Sequence, residues 1–187
     1  MSDVALFDRF ASFYDRFATS TSNESIRAGF AYAERPVERV LDLAGGTGQT
    51  ATSLEAYDVT VLDASLEMLR RARWKGFPVV CGDATRLPLP GGSFDGVVVT
   101  DALHHVGNAR AAVREAARVL RPGGVLVARE FDPRGLRGRA LVAGEHAIGF
   151  ESAFFTPGTL AGAFADAGLR PHAVESGFEY ALAGVRD

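Results

Sequence analysis

The spacing of apolar positions changes character at about residue 38. Before it, Leu6, Phe7, Phe10, Phe13, Tyr14 and Phe17 recur at intervals of three and four, the period of an amphipathic helix. The polar run Thr19-Ser20-Thr21-Ser22-Asn23 breaks that helix, and Ser22 or Asn23 is placed to cap a second over 24–33. From Val40 onward, short apolar runs alternate with helical patterns. Strands are expected at 40–43, 59–63, 79–80, 94–100 and 125–131. Helices are expected at 49–56, from the Ser65 cap to 73, and at 109–120, where Arg121-Pro122-Gly123-Gly124 stops the last of them. The run 94–100 is strongly apolar, as a parallel strand covered on both faces should be. A helical segment near 138–149 follows, then a helix from the Thr156 cap to about 167. Two strand-like runs, 172–177 and 178–185, close the chain with almost no connection between them, so they should pair antiparallel. The repeated strand–helix order predicts an α/β sandwich of three layers, a parallel sheet between helices.

Composition adds limits. A chain of 187 residues is one domain's worth, and 47% hydrophobic with 23% charged residues is ordinary for a soluble globular protein. The net charge of −3, with basic residues spread along the chain, does not suggest nucleic-acid binding. Cys81 is the single cysteine, so an internal disulfide is impossible; its place in an apolar run predicts a small buried strand residue and a reducing compartment. Asp3, Asp8 and Arg9 spoil any signal-peptide pattern, and no uncharged run approaches the ~18 residues of a membrane span, so a cytoplasmic monomer or homodimer is expected.

The chemistry concentrates where the first strand ends, in Leu41-Asp42-Leu43-Ala44-Gly45-Gly46-Thr47-Gly48-Gln49. Glycines there permit positive φ and close approach of a ligand, and the following helix start favours an anionic group. Gly46-Thr47-Gly48-Gln49-Thr50-Ala51 also fits the dinucleotide pattern, so the turn alone leaves an NAD(P)-binding oxidoreductase open. Three carboxylates weigh against that. Asp42, inside the strand, can face a ligand ammonium group and would repel a pyrophosphate. Asp63, ending the second strand, can accept both ribose hydroxyls. Asp83, after the third, can accept from an adenine amino group. Together they suit one zwitterionic nucleoside.

In this order and spacing the residues resemble the class I S-adenosylmethionine (SAM)-dependent methyltransferases. The resemblance rests on Val40 to Gly48, on Val61-Leu62-Asp63-Ala64-Ser65 with Met68-Leu69, on Gly82-Asp83-Ala84 with Ser93-Phe94-Asp95, on Asp101-Ala102-Leu103-His104-His105-Val106, and on Arg118 to Gly124. It implies a seven-stranded sheet of order 3-2-1-4-5-7-6 with the last strand antiparallel, and SAM lying over the strand ends. Implied cofactor contacts are Ala44, Gly45, Gly46 and Gly48 at the methionine, Asp42 near its ammonium, Asp63, Ala64 and Met68 at the ribose, Gly82, Asp83 and Ala84 at the adenine, and Thr100 at the fourth strand's end. Ala44 stands where that class most often has glycine, at small cost if its φ is negative. Asp42 to Gly48, Glu130-Phe131-Asp132-Pro133 and Phe7 to Asp15 are most similar to the ubiquinone/menaquinone C-methyltransferases. His104-His105-Val106 and Gln49 depart from that subgroup's pattern.

The segment beyond the fourth strand is expected near the reacting methyl group. His104, as a base, and Asp101 are the catalytic candidates. His105, Glu145, His146 and Phe150 are expected on the acceptor side, with Phe154 and Phe155 nearby. Tyr14 is expected to reach the cofactor from a lid formed by residues 1–38, over a core at 39–131 and acceptor-side elements at 132–187. The adjacent histidines are expected to diverge, and no third ligand is placed by spacing, so no metal is expected. The reading is methyl transfer to a small, aromatic or quinone-like acceptor. A SAM-binding partner or regulatory module without turnover shares the same binding residues.

Overall fold

The computed structural model describes residues 24–150 and 152–187. Seven strands form one sheet: β1 (Arg39–Leu43), β2 (Asp58–Asp63), β3 (Val79–Cys81), β4 (Phe94–Thr100), β5 (Leu120–Phe131), β6 (Leu169–Glu175) and β7 (Glu179–Arg186). Their order is β3-β2-β1-β4-β5-β7-β6. The first five run parallel, and β7 is antiparallel to both β5 and β6. The expected topology, including the closing hairpin, is therefore present.

Alternation along the strands builds two apolar layers. Leu41, Leu43, Val97, Val99, Leu126 and Ala128 pack on one face with α4 (Ala109–Val119) and α6 (Pro157–Asp166). Val40, Val61, Val98, Val125 and Val127 pack on the other with α1 (Glu24–Phe30) and α3 (Leu66–Trp74). The short α2 (Gln49–Thr52) follows the glycine-rich turn, and α5 (Leu136–Ala147) follows β5. Capping follows the sequence signals at Ser65 and Thr156, and Asn108 is a cap that the sequence reading did not name. The Ser65 hydroxyl accepts from the Met68 N–H, Asn108 caps α4 through the Ala111 N–H, and Thr156 forms a capping box with Thr159.

Some details differ from expectation. The α2 helix ends four residues early. β5 begins at Leu120, because Leu120 pairs with Phe94 before the register shifts to Gly96–Val125, so Arg121 to Gly124 form an irregularity within the strand. Gly124 is required there: a Cβ would stand 2.8 Å from the Asp95 and Arg121 carbonyl oxygens. Cys81 is exposed rather than buried, because β3 is the sheet's edge. Among the described residues, no helix is long and apolar enough to cross a membrane. Tyr14 and the rest of the aromatic stripe lie outside the described residues.

Candidate active site

The carboxyl ends of β1, β2, β3 and β4 frame a cavity of about 530 Å³, the usual place and size for a ligand in an open α/β sheet. Eleven residues expected at the site line it: Ala44, Gly46, Asp63, Ala64, Met68, Gly82, Asp83, Ala84, Thr100, Asp101 and His105. Asp42, Gly45, Gly48, His104, Glu145, His146 and Phe150 do not. Leu62, Thr85, Ala102 and Val106-Gly107-Asn108 line it without having been foreseen. The last three carry a loop signal, glycine and asparagine before a helix, that marks a turn and says nothing of which way it faces.

The glycine-rich turn is held from below by two carboxylates. Asp63 accepts from the Gly46 N–H at 2.9 Å and from the Ser65 N–H at 2.8 Å, so it ties the turn to the start of α3 while standing in the cavity wall. Asp42 is fully buried and accepts from the Ala51 N–H at 3.2 Å. Its other oxygen has no hydrogen-bond partner. The Asp42 carboxylate sits directly under Gly45: a Cβ at Gly45 would come within 2.5 Å of it. Burial, opposed by the Ala51 hydrogen bond and reinforced by the Asp63 charge, pushes the Asp42 pKa up to about 7. Asp42 therefore acts on the turn from beneath instead of standing in the cavity wall. Gly48 has φ 76° and starts α2 in the left-handed region. Ala44 has φ 54°, so the condition for a small cost is not met; its Cβ costs about 1–2 kcal/mol there. Asp83 accepts from the Thr85 N–H and hydroxyl at 2.7 and 2.8 Å. Thr100 pairs its hydroxyl with that of Thr50 at 2.7 Å.

Beyond β4 the chain turns sharply. Asp101 has φ 51° and pairs with the buried guanidinium of Arg129 at 2.5 Å. One Asp101 oxygen and the Arg129 Nε have no partner. Burial, only partly offset by Arg129, pushes the Asp101 pKa up to about 6. The next turn, Leu103–His105, is organised by Glu130 of β5, which is completely buried. One Glu130 oxygen accepts from the Ala102 and Leu103 N–H groups at 3.2 and 2.8 Å; the other meets His104 Nδ1 at 2.5 Å.

His104 is itself buried and stacks on Phe154, with its Nε2 3.7 Å from Glu145. Burial pulls its imidazolium down, but the Glu130 hydrogen bond and the negative charges of Glu130 and Glu145 outweigh that and raise its pKa to about 9. A protonated imidazole held between two carboxylates, outside the cavity wall, does not suit the role of base expected of it. His105 is the imidazole in the wall. Its Nδ1 lies 3.2 Å from the Ser152 hydroxyl and its ring 4.8 Å from that of Phe150. The Ser152 hydroxyl also donates to Glu145, and its carbonyl lies 3.1 Å from His146 Nε2. The four expected acceptor-side residues thus form one cluster, of which only His105 reaches the cavity. The two histidines do not diverge: their ring centroids are 4.2 Å apart on the tight turn, and α5 brings Glu145 to them as a third candidate ligand.

The charge in the wall is one-sided. Asp63, Asp83 and Asp101 line the cavity, and no lysine or arginine does so among the described residues. Such a wall attracts a cationic ligand and repels a pyrophosphate. With the glycine turn, Asp63 at the end of β2 in the wall and a volume of this size, the residues fit S-adenosylmethionine.

Residues 41–128 match the family model described as a methyltransferase domain. Solved structures share the fold along nearly the whole chain. A SAM-dependent methyltransferase from Thermotoga maritima, described as a possible histamine N-methyltransferase, superposes with TM-score 0.80 at 22% identity, covering 98% of this chain and 99% of that one. A putative methyltransferase from Haloferax volcanii, solved with its Trm112 activator, gives TM-score 0.83 at 19% identity over 98% and 97%. At these identities the likeness is one of fold. The matched segment, just under half of the chain, is thus similar to a methyltransferase domain, carried on the fold of class I SAM-dependent methyltransferases.

More particularly, the sequence is similar to the demethylmenaquinone methyltransferases. That of Beutenbergia cavernae is 46% identical over 105 residues, 54% of this chain and 44% of the relative. That of Mycobacterium tuberculosis is 39% identical over 119 residues, 63% and 48%. The chain spans about half the length of these relatives.

Proposed function

We propose that this chain transfers a methyl group from S-adenosylmethionine to a small aromatic or quinone-like acceptor. The observation that carries the reading is the acidic wall of the cavity beside the glycine turn, which holds no arginine or lysine among the described residues. The similarity to demethylmenaquinone methyltransferases supports the acceptor class. S-adenosylmethionine supplies a methyl group made electrophilic by the positive charge on its sulfur.

The chain's part is alignment and exclusion of water. Asp63 offers acceptor oxygens to ribose hydroxyls and Asp83 to an adenine amino group, while Gly46 lets the backbone approach the ligand. Asp101 stands in the cavity wall at the end of β4, where an ammonium group or an acceptor hydroxyl would meet its carboxyl group. His105 faces the acceptor space and is the side chain able to receive a proton from an acceptor that must lose one. His104 is a positioning residue: clamped by Glu130, it fixes the turn that presents His105.

Calorimetry with SAM, S-adenosylhomocysteine and NAD tests the cofactor. Binding of the two sulfur compounds and not of NAD is expected; binding of NAD alone would sink the reading. Incubation with methyl-labelled SAM and a panel of quinols, phenols and amines tests turnover. Label should pass to a quinol or phenol; tight SAM binding with no transfer to any acceptor would favour the binding module.

A further inference from the structure

We propose that His104, His105 and Glu145 form a binding site for one divalent first-row transition-metal ion at the edge of the cavity. Their candidate ligand atoms all lie within 4.8 Å of one another. His104 Nε2 and Glu145 Oε1 are 3.7 Å apart, too far for a hydrogen bond. Two nitrogen or oxygen ligands of one tetrahedral ion, each ~2.0–2.2 Å from it, stand about 3.4 Å apart. That pair needs to close by only a few tenths of an ångström, and the widest pair by at most about 1.4 Å to reach the same spacing. The Ser152 hydroxyl bridges His105 and Glu145, and an ion would take over that bridging.

The surroundings are those of a ligand set. His104 directs Nδ1 at the fully buried Glu130 carboxylate at 2.5 Å, leaving Nε2 turned towards Glu145. A carboxylate on the far nitrogen is the arrangement that fixes the tautomer and ring orientation of metal-bound histidines. Phe154 stacks on His104 and Phe150 packs on His105, so both rings are held by apolar neighbours. Two imidazoles and one carboxylate suit Zn²⁺, Co²⁺ or Fe²⁺ rather than Mg²⁺ or Ca²⁺. Three protein ligands leave at least one position open. With His105 in the cavity wall, that position is available to water or to an oxygen of a bound acceptor.

The test does not depend on methyl transfer. Chelator-stripped protein is titrated with Co²⁺, followed by visible absorption, and with Zn²⁺ by calorimetry. One ion per chain and the intense visible bands of a low-symmetry Co²⁺ site are expected. Glu145→Gln and His105→Gln, both at partly exposed positions, should each lower affinity by more than about 100-fold, and Glu130→Gln by about 10–100-fold. His172→Ala, on β6, controls for surface binding and should change nothing. Circular dichroism checks that each variant is folded. Absence of stoichiometric Co²⁺ bands in the parent protein, or unchanged affinity in folded Glu145→Gln, would overturn the proposal.

Discussion

Asp42→Asn separates what the buried carboxylate does for stability from what it does for ligand binding. Asp42 has its pKa raised from 3.8 to about 7, chiefly by burial. A carboxyl whose folded pKa lies above its unfolded value stabilises the fold at low pH, and that contribution is lost as pH rises through the folded pKa. At 1.36 kcal/mol per unit, the loss reaches about 4 kcal/mol above pH 8 and is only about 1.5 kcal/mol at pH 5. Asparagine keeps the carbonyl that accepts from the Ala51 N–H and carries no charge. It also places a buried amide beneath Gly45, at a cost of ~1–3 kcal/mol that does not vary with pH. The diagnostic is therefore the pH dependence of the difference between variant and parent. In ligand-free protein, the variant should gain about 2–3 kcal/mol on the parent between pH 5 and pH 8.5, or roughly 4–12 °C in melting temperature for a domain of this size. Urea or thermal melts at the two pH values measure it. A difference that is the same at both would show that Asp42 is not strained by burial, and the account of the turn would fail.

Other predictions concern the same turn and the cavity. Gly45→Ala should destabilise by about 1–3 kcal/mol, because its methyl would fall within 2.5 Å of the Asp42 carboxylate; a neutral result in melts would mean the turn moves freely. Ala44→Gly should be neutral to stabilising by up to about 1 kcal/mol, because φ 54° suits glycine; a clear loss of melting temperature would contradict the left-handed conformation. Asp63→Ala should weaken SAM by about 1–3 kcal/mol in calorimetry and also lower the melting temperature, because Asp63 anchors the Gly46 and Ser65 N–H groups; unchanged affinity would remove Asp63 from the binding set. His105→Ala should lower turnover by roughly 100-fold with SAM affinity almost unaltered, provided the acceptor must lose a proton. An equal loss in both would make His105 a cofactor contact.

The sequence by itself determined the sheet and the position of the cavity. Strand and helix periods are local, so the elements, the parallel sheet and the closing hairpin were legible, and the strand order was implied by the resemblance that the motifs carry. The glycine turn, Asp63 and Asp83 could be placed because they occupy strand ends, and strand ends of an open parallel sheet converge on one crevice. Ser65 and Thr156 cap helices by contacts three residues along the chain, which sequence also shows. What only tertiary structure decided depends on contacts far apart in sequence or on dihedral angles that residue types do not reveal. Ala44 takes positive φ, and Gly45 is needed because Asp42 lies under it. The register shift of β5 follows from Leu120 finding Phe94 across the sheet. The two histidines were legible as candidates, but their division of labour was not. Glu130, 26 residues away on β5, buries and clamps His104, and the tight turn leaves His105 in the wall. Glu145 joins them only because α5 and the segment carrying Ser152 fold back over that turn.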